Sequence, residues 1–376
     1  MHKKPKLFIN FLLFLAAALI IGGFIFYPRL QQRMDTPLGP GLELPTHTST
    51  TVKTNTPEAA TGTVPILPSE ASVFTATPTG TSTPAPLCGG PPLMFILGIG
   101  ADSGQDYMYG LADAIRIARV DFTTPKVTVL SIPRDLWVEI PDLDPKRNVD
   151  HGKLNQAYFF GGEGMGYYSG PGGGPGLLAR TLDLNFGVRV DHYGAVNMQT
   201  FVKIVDAVGG IDVYLEKPVD GRSSDPATID LGFFNAGQHH LTGEEALRLS
   251  RVRKKYNDFA RQDFQTIVLC ALKEKLTEPS VIVKIPKLIS AFQDSVQTDL
   301  TPAQLLQLSC LIPQLDRENL IMTGLPQELF EPSRVYNERQ KNTTFVMDAD
   351  YEVIRQYIAR FIAGEWPDQP DEPSCP

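Results

Sequence analysis

Residues 7–27 set the first limit on what this chain can fold into. Leu7 to Tyr27 is an apolar run interrupted only by Asn10, and it follows the basic stretch His2-Lys3-Lys4-Pro5-Lys6. About 20 apolar residues suffice to cross the hydrocarbon core of a bilayer, and the run exceeds the apolar centre of a cleaved signal peptide. No cysteine follows closely, so a lipoprotein cleavage signal is absent. Lys3, Lys4 and Lys6 hold the N-terminus on the cytoplasmic side. The expectation is a cytoplasmic stretch at 1–6, an uncleaved signal anchor at 7–27 that crosses the cell membrane once, and an extracellular location for everything after Tyr27.

From Asp35 to about Pro86 the chain is rich in Thr, Pro and Ser and nearly devoid of aromatics. Such composition cannot bury a core. Residues 28–91 are therefore expected to form an extracellular linker, 92–366 one folded domain, and 367–376 a disordered tail. Disulfides are permitted outside the cytosol. Cys88 and Cys375 lie near the ends of the folded region, Cys270 and Cys310 lie in helical patterns, and none has metal-site spacing. The pairing stays open, and Cys270, on an apolar helix face, also reads as a buried thiol.

Within the domain, Leu93 to Gly98 reads as a buried strand. Ala114–Phe122 and Lys126–Ile132 alternate around the turn Thr123-Thr124-Pro125, which predicts a hairpin. Helical periodicity appears at 177–184, 198–208, 260–276 and 351–362, with strands near 193–196, 211–215 and 345–346. Thr242-Gly-Glu-Glu245 and Thr301-Pro-Ala-Gln304 are capping boxes. Strands interspersed with helices around a hairpin predict an α/β fold, an α/β/α sandwich with a central mixed sheet. The glycine-rich segment Gly161–Gly176 lacks a phosphate-loop ending and reads as a mobile surface loop.

The net charge is −8, yet Leu247–Arg261 gathers Arg248, Arg251, Arg253, Lys254, Lys255 and Arg261. Arginine makes planar, bidentate contacts to phosphate, and Arg251 and Arg253, two residues apart near a helix end, suit a clamp on a bulky anion. Asp102 ends the first strand region and Asp113 opens the next. On neighbouring strands the two carboxylates would converge and, with water and phosphate oxygens, make a Mg2+ site. Arg134 and Asp135 follow the third strand after Pro133, and Lys153 adds a cation. Arg134 reads equally as a phosphate ligand and as an ion-pair partner. Asp135 is a candidate general base. His239-His240 lacks helical metal spacing. No nucleophile elbow, zinc-protease helix or dinucleotide fingerprint is present. No helix-turn-helix is apparent, and a domain outside the cell cannot reach nucleic acid.

Taken in order, these pieces resemble the LytR–CpsA–Psr family of envelope enzymes. The matching segments are Gly-Ala-Asp102-Ser, Ala-Asp113, Val-Thr-Val-Leu-Ser-Ile-Pro-Arg134-Asp135, Lys153-Leu-Asn155, Asp191-His-Tyr193, Val205 to Val213, Leu241 to Leu247, Arg251-Val-Arg253, Asp258-Phe-Ala-Arg261 and Gln265. The resemblance implies an apolar groove for a polyprenyl chain. It also implies transfer of a glycopolymer from a polyprenyl pyrophosphate carrier to peptidoglycan or another envelope acceptor, with Mg2+. Carried over residue by residue, Asp102 and Asp113 would serve the metal, and Arg134, Lys153, Arg251, Arg253, Arg261 and Gln265 the pyrophosphate. The catalytic set would be Arg134, Asp135, Arg251 and Arg253. The chain departs from the family at Gly104, at Leu111-Ala112 and at Phe264, where arginines or an Arg-Ser pair are usual. Each lost arginine removes a charge-assisted bond worth about 1.5–3 kcal/mol. The same residues would also serve a polyprenyl pyrophosphate phosphatase or a non-catalytic binder of lipid-linked glycopolymer.

Overall fold

A computed structural model describes residues 31–45, 84–104, 106–225, 228–253, 255–284, 287–288, 292, 295–337, 341–368 and 375. The expected cytoplasmic stretch at 1–6, the signal anchor at 7–27 and most of the linker lie outside the described residues. Among the described residues no helix is long and apolar enough to cross a membrane. Residues 45–85 form a separate unit, and all the elements below belong to the other.

The strands are β1 (Leu93–Ser103), β2 (Gly110–Asp121), β3 (Lys126–Ser131), β4 (Trp137–Glu139), β5 (His151–Lys153), β6 (His192–Asn197), β7 (Ile211–Leu215), β8 (Val219–Asp220), β9 (Phe233–Phe234), β10 (Gly237–Leu241), β11 (Gln297–Thr298), β12 (Leu320–Gly324), β13 (Glu331–Asn337) and β14 (Asn342–Asp348). The helices of two turns or more are α1 (Leu154–Gly161), α2 (Gly173–Phe186), α3 (Met198–Ala207), α4 (Gly243–Arg251), α5 (Asp258–Thr277), α6 (Pro302–Leu311) and α7 (Tyr351–Ala363). Six strands build the central sheet in the order β11-β6-β1-β2-β3-β12. β6 joins β1, and β12 joins β3, in parallel, and the remaining contacts are antiparallel. The mixed sheet read from the sequence is therefore observed. The predicted hairpin turns at Thr123-Thr124-Pro125, where Asp121 Oδ1 accepts the amides of Thr123 and Thr124 at 3.0 and 2.9 Å.

Alternation along β1 assigns the two faces. Phe95, Leu97 and Ile99 join one core cluster with Ile117, Leu130, Leu154 and Leu177 under α1, α2 and α7. Leu97, Ile117 and Leu130 have no exposed surface, and burying each side chain stabilises by about 1.5–3 kcal/mol. The opposite face is treated in two ways. At one end Met94, Val120 and Phe122 pack with Leu311 of α6. At the other, β1 and β6 present Gly98, Gly100 and Gly194, and the apolar side chains of α3, α4 and α5 gather instead around the β7–β10 pair.

Three expectations are corrected here. Residues 37–44, expected in the 28–91 linker, lie on the domain. Leu38 N donates to Leu300 O at 3.2 Å, Tyr193 OH donates to Pro40 O at 3.2 Å, and Leu42 is only 4% exposed. Leu38, Leu42 and Leu44 supply the apolar surface that the Thr- and Pro-rich average hides. Secondly, Gly161–Gly176 is packed rather than loose. Tyr167 stacks on Phe160 at 5.2 Å, and a methyl on Gly161 would stand 2.7 Å from Gly173 O, so glycine is what lets α1 meet the start of α2. Thirdly, the tail expected to be disordered ends in a buried disulfide. Cys375 bonds Cys270, and Cys88 bonds Cys310, so Cys270 is no free thiol.

Candidate active site

The glycine face of the sheet is the floor of a cavity of about 630 Å3. Gly98 pairs with Gly194 across β1 and β6, so no side chain rises there. Phe201 and Ile204 of α3 and Val268, Leu269 and Leu272 of α5 supply the apolar walls. Asp102, Asp113, Arg251, Arg253, Arg261 and Gln265 line the same cavity. One opening thus joins a hydrocarbon-lined space to the carboxylates of Asp102 and Asp113 and to a group of guanidiniums that includes Arg251, Arg253 and Arg261.

A break in the ladder aims Asp113. Gly100 pairs with Ala114 and Ala101 with Ala112, so Asp113 is the extra residue of a β-bulge. Asp102 lies opposite Leu111, near the same end of the two strands. Arg251 and Arg253 are placed by a helix end. The Thr242–Glu245 capping box opens α4, and Val252 closes it in an extended conformation with 1% exposure. Buried Val252 is the anchor, and alternation sends the arginines on either side of it away from the core. Neither makes an ion pair among the described residues. Gln265 Nε2 donates to Ser250 O at 3.4 Å, tying α5 to the last turn of α4.

Behind Asp113 runs a chain of alternating charges. Arg134, 7% exposed, donates to Asp113 Oδ1. It also lies 3.5 Å from Asp135 Oδ2 and 3.6 Å from Asp258 Oδ1. Lys153 Nζ meets Asp135 Oδ1 at 2.8 Å, and Arg261 meets Asp258 Oδ1 at 2.7 Å. Burial disfavours the charged form of Arg134, but Asp113, Asp135 and Asp258 outweigh it and hold its pKa above the usual arginine value. Arg261 shifts the other way: burial lowers its pKa, Asp258 opposes, and the cations Arg134 and Arg253 add to the lowering.

The structure therefore separates the expected site residues into two groups. Asp102, Asp113, Arg251, Arg253, Arg261 and Gln265 meet on the cavity. Arg134, Asp135 and Lys153 do not line it. Asp135, the candidate general base, is held between Lys153 and Arg134, and both cations are engaged by carboxylates. These three position Asp113 and Asp258. Lys255, part of the basic run, pairs with Asp220 at 2.6 Å, and Lys254 lies outside the described residues. Asp258, the bridge between Arg134 and Arg261, received no role from sequence. Arg116 was also missed, although a lone cation in Ala114-Ile-Arg-Ile-Ala118 is a visible break in an apolar strand.

Among the described residues no group of three or more His, Cys, Asp or Glu is placed to hold a metal. Two carboxylates on one cavity wall nonetheless fit Mg2+, which takes one or two carboxylates and completes its shell with water and substrate phosphates.

The family described as LytR_cpsA_psr matches residues 92–356. Polyisoprenyl-teichoic acid–peptidoglycan teichoic acid transferase TagU of Bacillus anthracis is 34% identical over 218 residues, which cover 57% of this chain and 62% of that protein. The transferase of the same name from Oceanobacillus iheyensis is 34% identical over 209 residues, covering 54% of this chain and 58% of that one. The chain thus spans less than two thirds of the length of the curated relatives it matches. The crystal structure of TagV from B. subtilis aligns with a TM-score of 0.54 at 24% identity, over 73% of this chain and 98% of that one, a likeness of fold. The match at 92–356 takes in the central sheet, the cavity and every residue of its polar end, and this chain belongs to the LytR–CpsA–Psr family.

Proposed function

We propose that the protein is a membrane-anchored phosphotransferase that moves a glycopolymer from a polyprenyl pyrophosphate carrier to peptidoglycan or another envelope acceptor. One observation carries the reading: an apolar cavity of about 630 Å3 whose polar end holds Asp102, Asp113, Arg251, Arg253, Arg261 and Gln265. Hydrocarbon walls suit a prenyl chain. Arg251, Arg253 and Arg261 bind the non-bridging oxygens of the pyrophosphate, with Gln265 beside them. Asp102 and Asp113 hold Mg2+, which supplies charge neutralisation on the phosphates. Phosphoryl transfer needs positioning and charge stabilisation more than a protein nucleophile. An acceptor hydroxyl oxygen bonds to phosphorus and gives up its proton to solvent, the P–O–P bridge breaks, and polyprenyl phosphate leaves. Arg134, Asp135 and Lys153 act through Asp113 and Asp258 by fixing where they point. The names of the Bacillus and Oceanobacillus relatives support the teichoic-acid class of polymer and a peptidoglycan acceptor.

The test incubates the full chain with a polyprenyl pyrophosphate-linked saccharide, peptidoglycan and Mg2+. Polyprenyl phosphate and wall-bound saccharide are expected in equal amounts. Release of polyprenyl phosphate with no wall-bound sugar would select the phosphatase. Saturable binding with no release would select the non-catalytic binder.

A further inference from the structure

Arg116 has no part in the roles above. It stands on β2, level with Gly98 of β1, and lines the cavity. It is 7% exposed. Its NH2 donates to Gln262 O and to Thr266 Oγ1 on α5, both at 3.1 Å. Its NH1 is buried and has no hydrogen-bond partner. Its buried neighbours Arg134 and Arg261 each make close ion pairs with carboxylates; Arg116 makes none among the described residues, and feels Asp263 only at longer range. A buried cation with no carboxylate in direct contact is unfavourable. Burial, and the like charge of Arg261, lower its pKa to about 10, with Asp263 opposing, so it is still a cation at neutral pH. Arg261 repeats the pattern: its Nε is buried without a partner, and it too lines the cavity. Two buried guanidiniums that feel one another and each keep a spare N–H are arranged for an anion between them.

We propose that Arg116 is a further substrate-binding residue: with Arg261 it holds the phosphate that stays on the prenyl carrier, while Arg251 and Arg253 hold the phosphate that is transferred. The assignment rests on the pyrophosphate reading above. Depth along the strand orders the two phosphates. Asp102 marks the polar end of β1, and Gly98, level with Arg116, is four residues further in, or about 13 Å of strand. Arg253 is exposed at the opening. The phosphate bonded to the lipid must be the deeper of the two. Arg116 also borders a side crevice of about 10 Å3, which has room for no more than a water, so the anion lies in the main cavity.

The test titrates the full chain in detergent with geranylgeranyl phosphate, geranylgeraniol and inorganic pyrophosphate. Arg116→Met is expected to weaken geranylgeranyl phosphate about 10- to 100-fold, the equivalent of one charge-assisted hydrogen bond. Binding of the alcohol should be unchanged. The melting temperature should stay level or rise, because an apolar side chain replaces a buried charge that has no carboxylate in contact. Arg116→Lys keeps the charge and should retain part of the affinity. Equal affinity of wild type and Arg116→Met for geranylgeranyl phosphate would overturn the assignment. So would a parallel loss of geranylgeraniol binding and melting temperature in both variants, which would make Arg116 a strut between β2 and α5. Failure of the wild type to bind any of the three ligands overturns the pyrophosphate reading itself, a separately visible result.

Discussion

Gly194→Ile should fill the cavity from its floor. Gly194 lies in β6 between Gly98 and Thr298, and a Cβ built on it meets nothing within 4 Å. Isoleucine would put four side-chain carbons into a space of about 630 Å3. Each carbon of a prenyl chain displaced from that space forfeits about 0.8 kcal/mol. Losing three or four of them amounts to about 2.5–3 kcal/mol, or roughly 100-fold in affinity. The free protein should respond in the opposite direction. A β-branched residue suits a strand, and its new apolar burial is favourable, so the melting temperature should hold or rise. The assay is a titration with geranylgeranyl phosphate beside a thermal melt, with inorganic pyrophosphate as a probe of the polar end that should not change. Gly194→Ala should fall between. An unchanged prenyl affinity with a raised melting temperature would refute the cavity as the lipid site. A lowered melting temperature would show that the floor is packed and not open.

Arg251→Ala and Arg253→Ala should each weaken prenyl pyrophosphate binding by about 1.5–3 kcal/mol, with lysine restoring only part; Lys255→Ala, which leaves Asp220 with Arg222, should cost under about 1 kcal/mol. Asp102→Ala and Asp113→Ala should both abolish Mg2+-dependent turnover. Only Asp113→Ala should also lower stability, by about 1–3 kcal/mol in a denaturant titration, since Arg134 loses one carboxylate but keeps Asp135 and Asp258. Cys375→Ser opens a bond that spans 105 residues and should lower stability by about 2–4 kcal/mol, a difference that reducing agent should erase. A reporter fused after Gly80 should be active only outside the cytosol, and cytosolic activity would overturn the proposed topology.

The parts of the fold that were legible are those whose signal is local. Alternation in 126–132, the Thr123-Thr124-Pro125 turn and the Thr242 capping box each sit within one stretch of chain, and each element formed there. β11 has two residues, too few to carry a pattern. β12 is an edge strand held on one side only, and nothing in Leu320–Gly324 names β3 as its partner. The site was legible as a set of residues but not as an arrangement. Sequence places Asp102, Asp113 and Arg134 near strand ends alike, and Lys153 ahead of a helix. Which of them reaches the cavity depends on the bulge at Asp113 and on the partners of Arg134, both of which are properties of paired strands. Leu42 shows the same limit, because three leucines in a polar stretch mean little until the surface that receives them exists.

The attachment of residues 37–44 resets the reach of the whole molecule. With the proposed anchor ending at Tyr27, the first residue hydrogen-bonded to the domain among the described residues is Leu38. Eleven extended residues span at most about 40 Å, and residues 31–35 are helical, which shortens the distance further. A tether running unattached to Leu87 would allow about 200 Å. Most of the Thr- and Pro-rich stretch comes after that fastening point, so its length does not decide how far the domain can stray. On the proposed function, a carrier whose long tail belongs in the bilayer would be served by a domain leashed within about one protein diameter of it.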